Sequence, residues 1–132
     1  MLRKSHWLSL TAALVLAGCG GGSDEPSKFG AIAYSASTTK AVMTWNENSQ
    51  ASASGNAFKE CGGGDCAVLL EFTSCGAIAG GPKAGGGVVV GVASASTREQ
   101  AQIDANNSCN AKGGVSCQVI GGLKARCAAD AS

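Results

Sequence analysis

Six of the seven cysteines fall beyond residue 60, as two ordered sets of three: Cys61, Cys66 and Cys75, then Cys109, Cys117 and Cys127. Six cysteines permit 15 disulfide pairings. An internal repeat narrows that number. Gly30-Ala31-Ile32-Ala33 recurs as Gly76-Ala77-Ile78-Ala79, and at the same offset Ala41-Val42 falls on Gly87-Val88. The two cysteine sets correspond once a few inserted loop residues are allowed. The chain therefore reads as two copies of one unit. Within each copy, the two cysteines flanking a Gly-rich loop form the natural local pair: Cys61–Cys66 around Gly62-Gly63-Gly64-Asp65, and Cys109–Cys117 around Gly113-Gly114. Cys75 and Cys127 then join the end of one copy to the end of the other. In the loop-entropy picture the short bridges contribute about 2–2.5 kcal/mol each and the long one about 4. Thin cores need such staples, and beyond residue 28 the only aromatics are Phe29, Tyr34, Trp45, Phe58 and Phe72.

The first residues predict a cellular address. A basic start, Arg3-Lys4, precedes an apolar run from Trp7 to Leu16 that is too short to cross a bilayer, and small residues follow. That order is a secretory signal peptide over residues 1–18. Leu16-Ala17-Gly18-Cys19 resembles the bacterial lipobox, which implies cleavage before Cys19 and acylation of that cysteine. Residues 19–28 then form a lipidated N-terminus and a flexible Gly/Ser linker with a reach of roughly 17 Å. Gly20 stands where inner-membrane lipoproteins tend to carry Asp. The resemblance thus implies an outer-membrane anchor facing the periplasm, stable because several acyl chains share it. Such a compartment is oxidising, so the even cysteine count reads as disulfides rather than thiols or zinc ligands.

Removal of residues 1–18 takes away the chain's single histidine, His6, and leaves eight basic residues against nine acidic ones. A near-neutral chain with no basic run gives no electrostatic reason to bind nucleic acid.

Each copy reads as strand, strand, helix, strand. Ala31–Tyr34 and Ala41–Trp45 make a hairpin, and Ser49–Cys61 carries Ala53, Ala57 and Cys61 at helical spacing. Ala67–Phe72 closes the copy. In the second copy Ile78 and Val88–Val92 make the hairpin, with Gly80–Lys83 and Gly85-Gly86 in its turn. Ser96-Thr97-Arg98-Glu99 reads as a capping box with Ser96 at the N-cap. Ala101, Ala105 and Cys109 repeat the stripe, and Gln118–Ile120 closes. The predicted fold is a small duplicated domain over residues 29–128. It is an α+β two-layer structure: about six antiparallel strands in one sheet, both helices on one face.

Phe29–Tyr34, Cys61-Gly62-Gly63-Gly64-Asp65-Cys66 and Cys75–Ala79 resemble a family of bacterial secreted domains of unknown function. The likeness covers roughly residues 29–127 and departs in the Gly-rich second turn. It implies fold and compartment, and carries no functional residue.

Chemistry is sparse in what remains. Without histidine there is no base for a Ser-His or Cys-His pair. Glu60, Asp65 and Glu71 read as solvated charges, Gly85-Gly86-Gly87 lacks the Lys-Ser and helix of a phosphate loop, and Cys61-x4-Cys66 lacks redox spacing. No catalytic residue, metal or cofactor is expected, and the chain is not read as an enzyme. The predicted role is a protein-binding module of inhibitor or immunity type; the alternative is a structural or accessory envelope lipoprotein. Candidate anchors are Tyr34, Trp45, Arg98 and Arg126, since binding energy concentrates on aromatic and Arg side chains; for the two rings, core or edge packing is the favoured alternative.

Overall fold

The computed structural model describes residues 27–131. The expected signal peptide of residues 1–18, the expected acylation site Cys19 and the expected linker as far as Pro26 lie outside the described residues. The first half runs β1 (Phe29–Ser35), β2 (Lys40–Glu47), α1 (Gln50–Cys61) and β3 (Ala67–Phe72). The second runs β4 (Cys75–Pro82), β5 (Val88–Ala95), α2 (Arg98–Ala111), then two short strands, β6 (Gln118–Val119) and β7 (Arg126–Cys127).

Both helices form where small residues line one face. Ala53, Ala57 and Cys61 are the buried positions of α1; Ala101, Ala105 and Cys109 are those of α2. Each begins on a hydroxyl cap. Ser49 accepts from Ser52 N–H, and Thr97 accepts from Gln100 N–H, satisfying one donor that the first turn leaves open. The N-cap of α2 is thus Thr97 and not Ser96, which places Glu99 in the first turn. Gly62, at φ 68°, ends α1 in a left-handed cap.

The strands form two antiparallel sheets, ordered β2-β1-β3 and β5-β4-β6, with β7 also paired to β4. This corrects the single six-stranded sheet. The two-layer arrangement is corrected as well, because each sheet carries one helix on its outer face and meets the other sheet on its inner face. Ala31, Ala33 and Val42 pack on α1, and Ala77 and Ala79 pack on α2. Ile32, Tyr34, Met43 and Phe72 from the first sheet meet Ile78, Val90 and Val92 from the second, with Ile120 just beyond β6. The layers run helix, sheet, sheet, helix. Strands buried on both faces explain why Gly30–Ser35 and Cys75–Gly81 have no exposed position.

Phe72 sits where the halves join. A side-chain carbon added at either Gly30 or Gly76 would run into its ring. One aromatic thus requires glycine at the first position of both Gly-Ala-Ile-Ala motifs.

The hairpins differ in register. Ala33 pairs with Val42, whereas Ala79 pairs with Gly91. The ladder counterpart of Ala41-Val42 is therefore Val90-Gly91, and not the Gly87-Val88 that the sequence offset indicates. The second hairpin runs one ladder pair further, to Pro82↔Val88, and its turn is longer, which together account for the shift. The structure joins Cys61 to Cys66, Cys109 to Cys117 and Cys75 to Cys127. The last bridge links ladder partners on β4 and β7.

Candidate functional site

Three of the four candidate anchors converge at one end of the molecule, where the C-terminal segment straps the two halves together. β7 pairs with the start of β4, and Ala128 then bonds twice: its N–H donates to Ser74 O (2.7 Å) and its O accepts from Asn46 N–H (2.8 Å). Trp45 and Asn46 form a bulge, two residues of β2 opposite the single Gly30. Asn46 takes φ 59° there. The bulge re-aims the Trp45 side chain, and its indole Nε1–H donates to Ala131 O (3.2 Å). The Arg126 guanidinium stacks on the indole, 4.6 Å from the ring centroid, a cation–π contact.

Arg98, at the start of α2, grips the same strap. Its Nε donates to Asp130 Oδ2 (3.1 Å) and its Nη2 to Oδ1. Asp130 also accepts from Cys127 N–H (2.8 Å). The hydrogen bond from Arg98 is the main reason the Asp130 carboxyl lies below its usual range, and the same contact raises the Arg98 guanidinium. The Arg98 side chain stays 52% exposed, so the ion pair orients the strap more than it stabilises the fold.

Tyr34 is elsewhere. It lies four residues along the ladder from the Trp45 bulge, roughly 13 Å at strand rise, and its ring is buried between the sheets with 8% exposure. Tyr34 is therefore packed in the core and stays out of the patch that Trp45, Arg98 and Arg126 form. Burial raises its phenol, and the nearby Asp65 charge adds to that.

The three acids considered for catalysis do not meet. Asp65 accepts from Ser35 Oγ (2.6 Å), Ser37 N–H (2.8 Å) and Ser37 Oγ (2.9 Å). These bonds, led by Ser35, hold its carboxyl at about 2. An acid so well solvated by donors stays ionised and clamps the Cys61–Cys66 loop to the β1–β2 turn. Glu71 accepts from Ser54 Oγ (2.8 Å). Glu60 instead lines a shallow groove of about 220 Å³ with Glu47, Trp45, Met43 and Thr44. Glu47 was not a candidate in the sequence; only the β2 bulge and the end of α1 bring the two together. A larger open groove, about 470 Å³, lies at the opposite end between Gly80–Pro82, Val88 and Gln118–Gly121. Among the described residues, no group of three His, Cys, Asp or Glu is placed to hold a metal ion, and no helix is long and apolar enough to cross a membrane.

Residues 29–123 match the family described as Domain of unknown function (DUF4189). The chain belongs to the DUF4189 family. The DUF4189 span opens on Phe29, the first residue of β1, and closes at Leu123, before the strap. Trp45 and Arg98 therefore lie inside the span, while Arg126, Cys127 and Asp130 lie beyond it. Among curated proteins, Protein Rv1269c of Mycobacterium tuberculosis (strain H37Rv) is 43% identical over 56 residues, which is 42% of this chain and 44% of that protein. Protein Mb1300c of Mycobacterium bovis matches with the same 43% identity and the same coverage. The chain thus aligns with under half the length of these relatives. No solved structure matches it with significance.

Proposed function

We propose that this DUF4189 protein is a lipid-anchored protein of the bacterial envelope whose folded domain works by binding a protein partner, in the manner of an inhibitor or immunity protein. The observation that carries the reading is Arg126 stacked on Trp45, with Arg98 beside it. Aromatic and Arg side chains dominate binding hot spots, and here the strap's hydrogen bonds hold them in place before any partner arrives. Three disulfides and a short tether lower the ordering cost of association. The signal-like start and Leu16-Ala17-Gly18-Cys19 support acylation at Cys19 and export. Gly20 supports the outer membrane, periplasmic side.

A duplicated ββαβ unit also belongs to this reading. Matching hydroxyl caps, matching Ala-Ala-Cys stripes and the two glycines against Phe72 support it.

The test is affinity capture from an envelope extract, followed by calorimetry of the purified partner with wild type, Trp45→Ala and Arg126→Ala. Each substitution should cost at least about 1 kcal/mol of binding. Unchanged affinity in both would sink the patch. A single substitution at Glu60, Asp65 or Glu71 that abolished a measurable turnover, with fold and capture intact, would move the protein to the enzymes. Labelling with a fatty-acid analogue should mark the wild type and miss Cys19→Ser.

A further inference from the structure

Four strands present outer edges to solvent or to short neighbours, and three of them are guarded. β2 carries the Trp45–Asn46 bulge with Lys40 and Glu47 at its ends. β3 is bulged at Leu69, the extra residue between the Ile32–Leu70 and Ala33–Val68 pairs, and carries Glu71. On the far side of β4, β6 and β7 are two residues each. Bulges, charges and short strands are the devices by which natural sheets prevent edge pairing. β5 has none of them. Val88–Ala95 contains no charged residue and no proline, and its ladder with β4 runs unbroken from Pro82↔Val88 to Cys75↔Ala95.

The ladder also says which backbone groups are free. Lys83 N–H donates to Gly87 O (2.9 Å), so hydrogen-bonded pairs recur at Val89, Gly91, Ala93 and Ala95. Val88, Val90, Val92 and Ser94 then point N–H and C=O away from β4. The Pro82 carbonyl, turned away from β5, accepts from Val115 N–H (2.8 Å), which is the same alternation read from the other side. Among the described residues no hydrogen-bond partner reaches those four outward positions. α2 lies over the sheet face, with Gly91 against its backbone, and Val88 is 49% exposed.

We propose that two copies of this chain pair through β5, antiparallel about a twofold axis. The register sets Val88 opposite the partner's Ser94 and Val90 opposite the partner's Val92. All four outward positions of each strand then find both hydrogen-bond partners, because the set is its own complement under the twofold. A symmetric interface needs this self-match. An uncharged strand opposes itself without repulsion. The chain itself supplies the extended, β-branched segment that the edge accepts. The result is one continuous sheet across two molecules, and it does not depend on the Trp45 patch.

The test is sedimentation velocity and amide hydrogen exchange on the purified full chain across a dilution series, with Ser94→Pro as the variant. Proline is tolerated at an edge position whose N–H faces outward, so the β4 ladder survives while two inter-chain bonds go. Wild type should dimerise, with the amides of Val88, Val90, Val92 and Ser94 slowing as concentration rises. Ser94→Pro should weaken the dimer about tenfold or more. Val88→Lys, at an exposed position, should do the same, and Leu69→Lys on the bulged edge should leave association unchanged. A monomer at every concentration, with those four amides exchanging freely, overturns the proposal. So does a dimer that survives both β5 variants, or a monomer that takes up another protein's strand at this edge.

Discussion

The two halves share an order of elements and solve the same packing problem differently. In the first, α1 stands far enough from the sheet for Val42 to fill the gap. In the second, the ladder counterpart is Gly91, and α2 rests on the backbone itself, where any side chain would meet Ala105 O and Cys109 N. The third strand differs as well. β3 is six residues long, whereas its counterpart breaks into β6 and β7 around Gly121-Gly122, which take φ 59° and 72°. Where the first half is held by a ladder, the second is held by the Cys75–Cys127 bridge. A covalent bond and a close helix do for one half what hydrogen bonds and a valine do for the other.

That contrast can be broken at its strongest point first. Replacing Cys75 and Cys127 together by Ser should lower stability by about 4 kcal/mol, against about 2 for Cys61 and Cys66. Urea unfolding measures both, and equal losses would mean that the long bridge does not hold the second sheet. Gly91→Val comes next, at about 3 kcal/mol, because packed backbone must move to admit it. Val42→Ala removes two buried carbons and should cost about 1.5 kcal/mol. If Gly91→Val proves the milder of the two, α2 is not seated as closely as described. The caps should show the halves alike: Ser49→Ala and Thr97→Ala at about 1 kcal/mol each in thermal unfolding. A cost confined to one would separate the helices.

Acid response should again divide them. Asp65 is held at about 2 by its hydroxyl and N–H donors. Its contribution is therefore present above the ordinary aspartate value near ~4 and is lost as pH falls through about 2. The second disulfide loop, Asn110–Ser116, has no carboxylate. Asp65→Asn should flatten the fall in melting temperature with acid. Parallel curves for variant and wild type would show that the clamp carries none of it.

Much of the local structure was legible in the residues. Ala-Ala-Cys at helical spacing marks both helices, and short apolar runs mark β1 to β5. The layering was not, for a reason visible in β1. Ala31-Ile32-Ala33-Tyr34 has no polar alternation, which is the mark of a strand covered on both faces. The small helix stripes account for a helix lying close to each sheet, but they do not reveal that a second sheet covers the opposite face. Of the candidate patch, the residue types were readable and their meeting was not. Arg126 reaches Trp45 only because Ala128 bonds to the bulge, and no periodicity encodes a bulge.

Phe72 has a consequence in time rather than in space. It ends the first half, yet its ring is enclosed only when Gly76 of β4 arrives. Until then Ile32, Tyr34, Met43 and Phe72 form an uncovered apolar sheet face on the part of the chain synthesised first. The first half alone therefore leaves part of its apolar surface open until the second half folds against it. The two halves should then melt as one cooperative transition, because a single aromatic ring belongs to both cores.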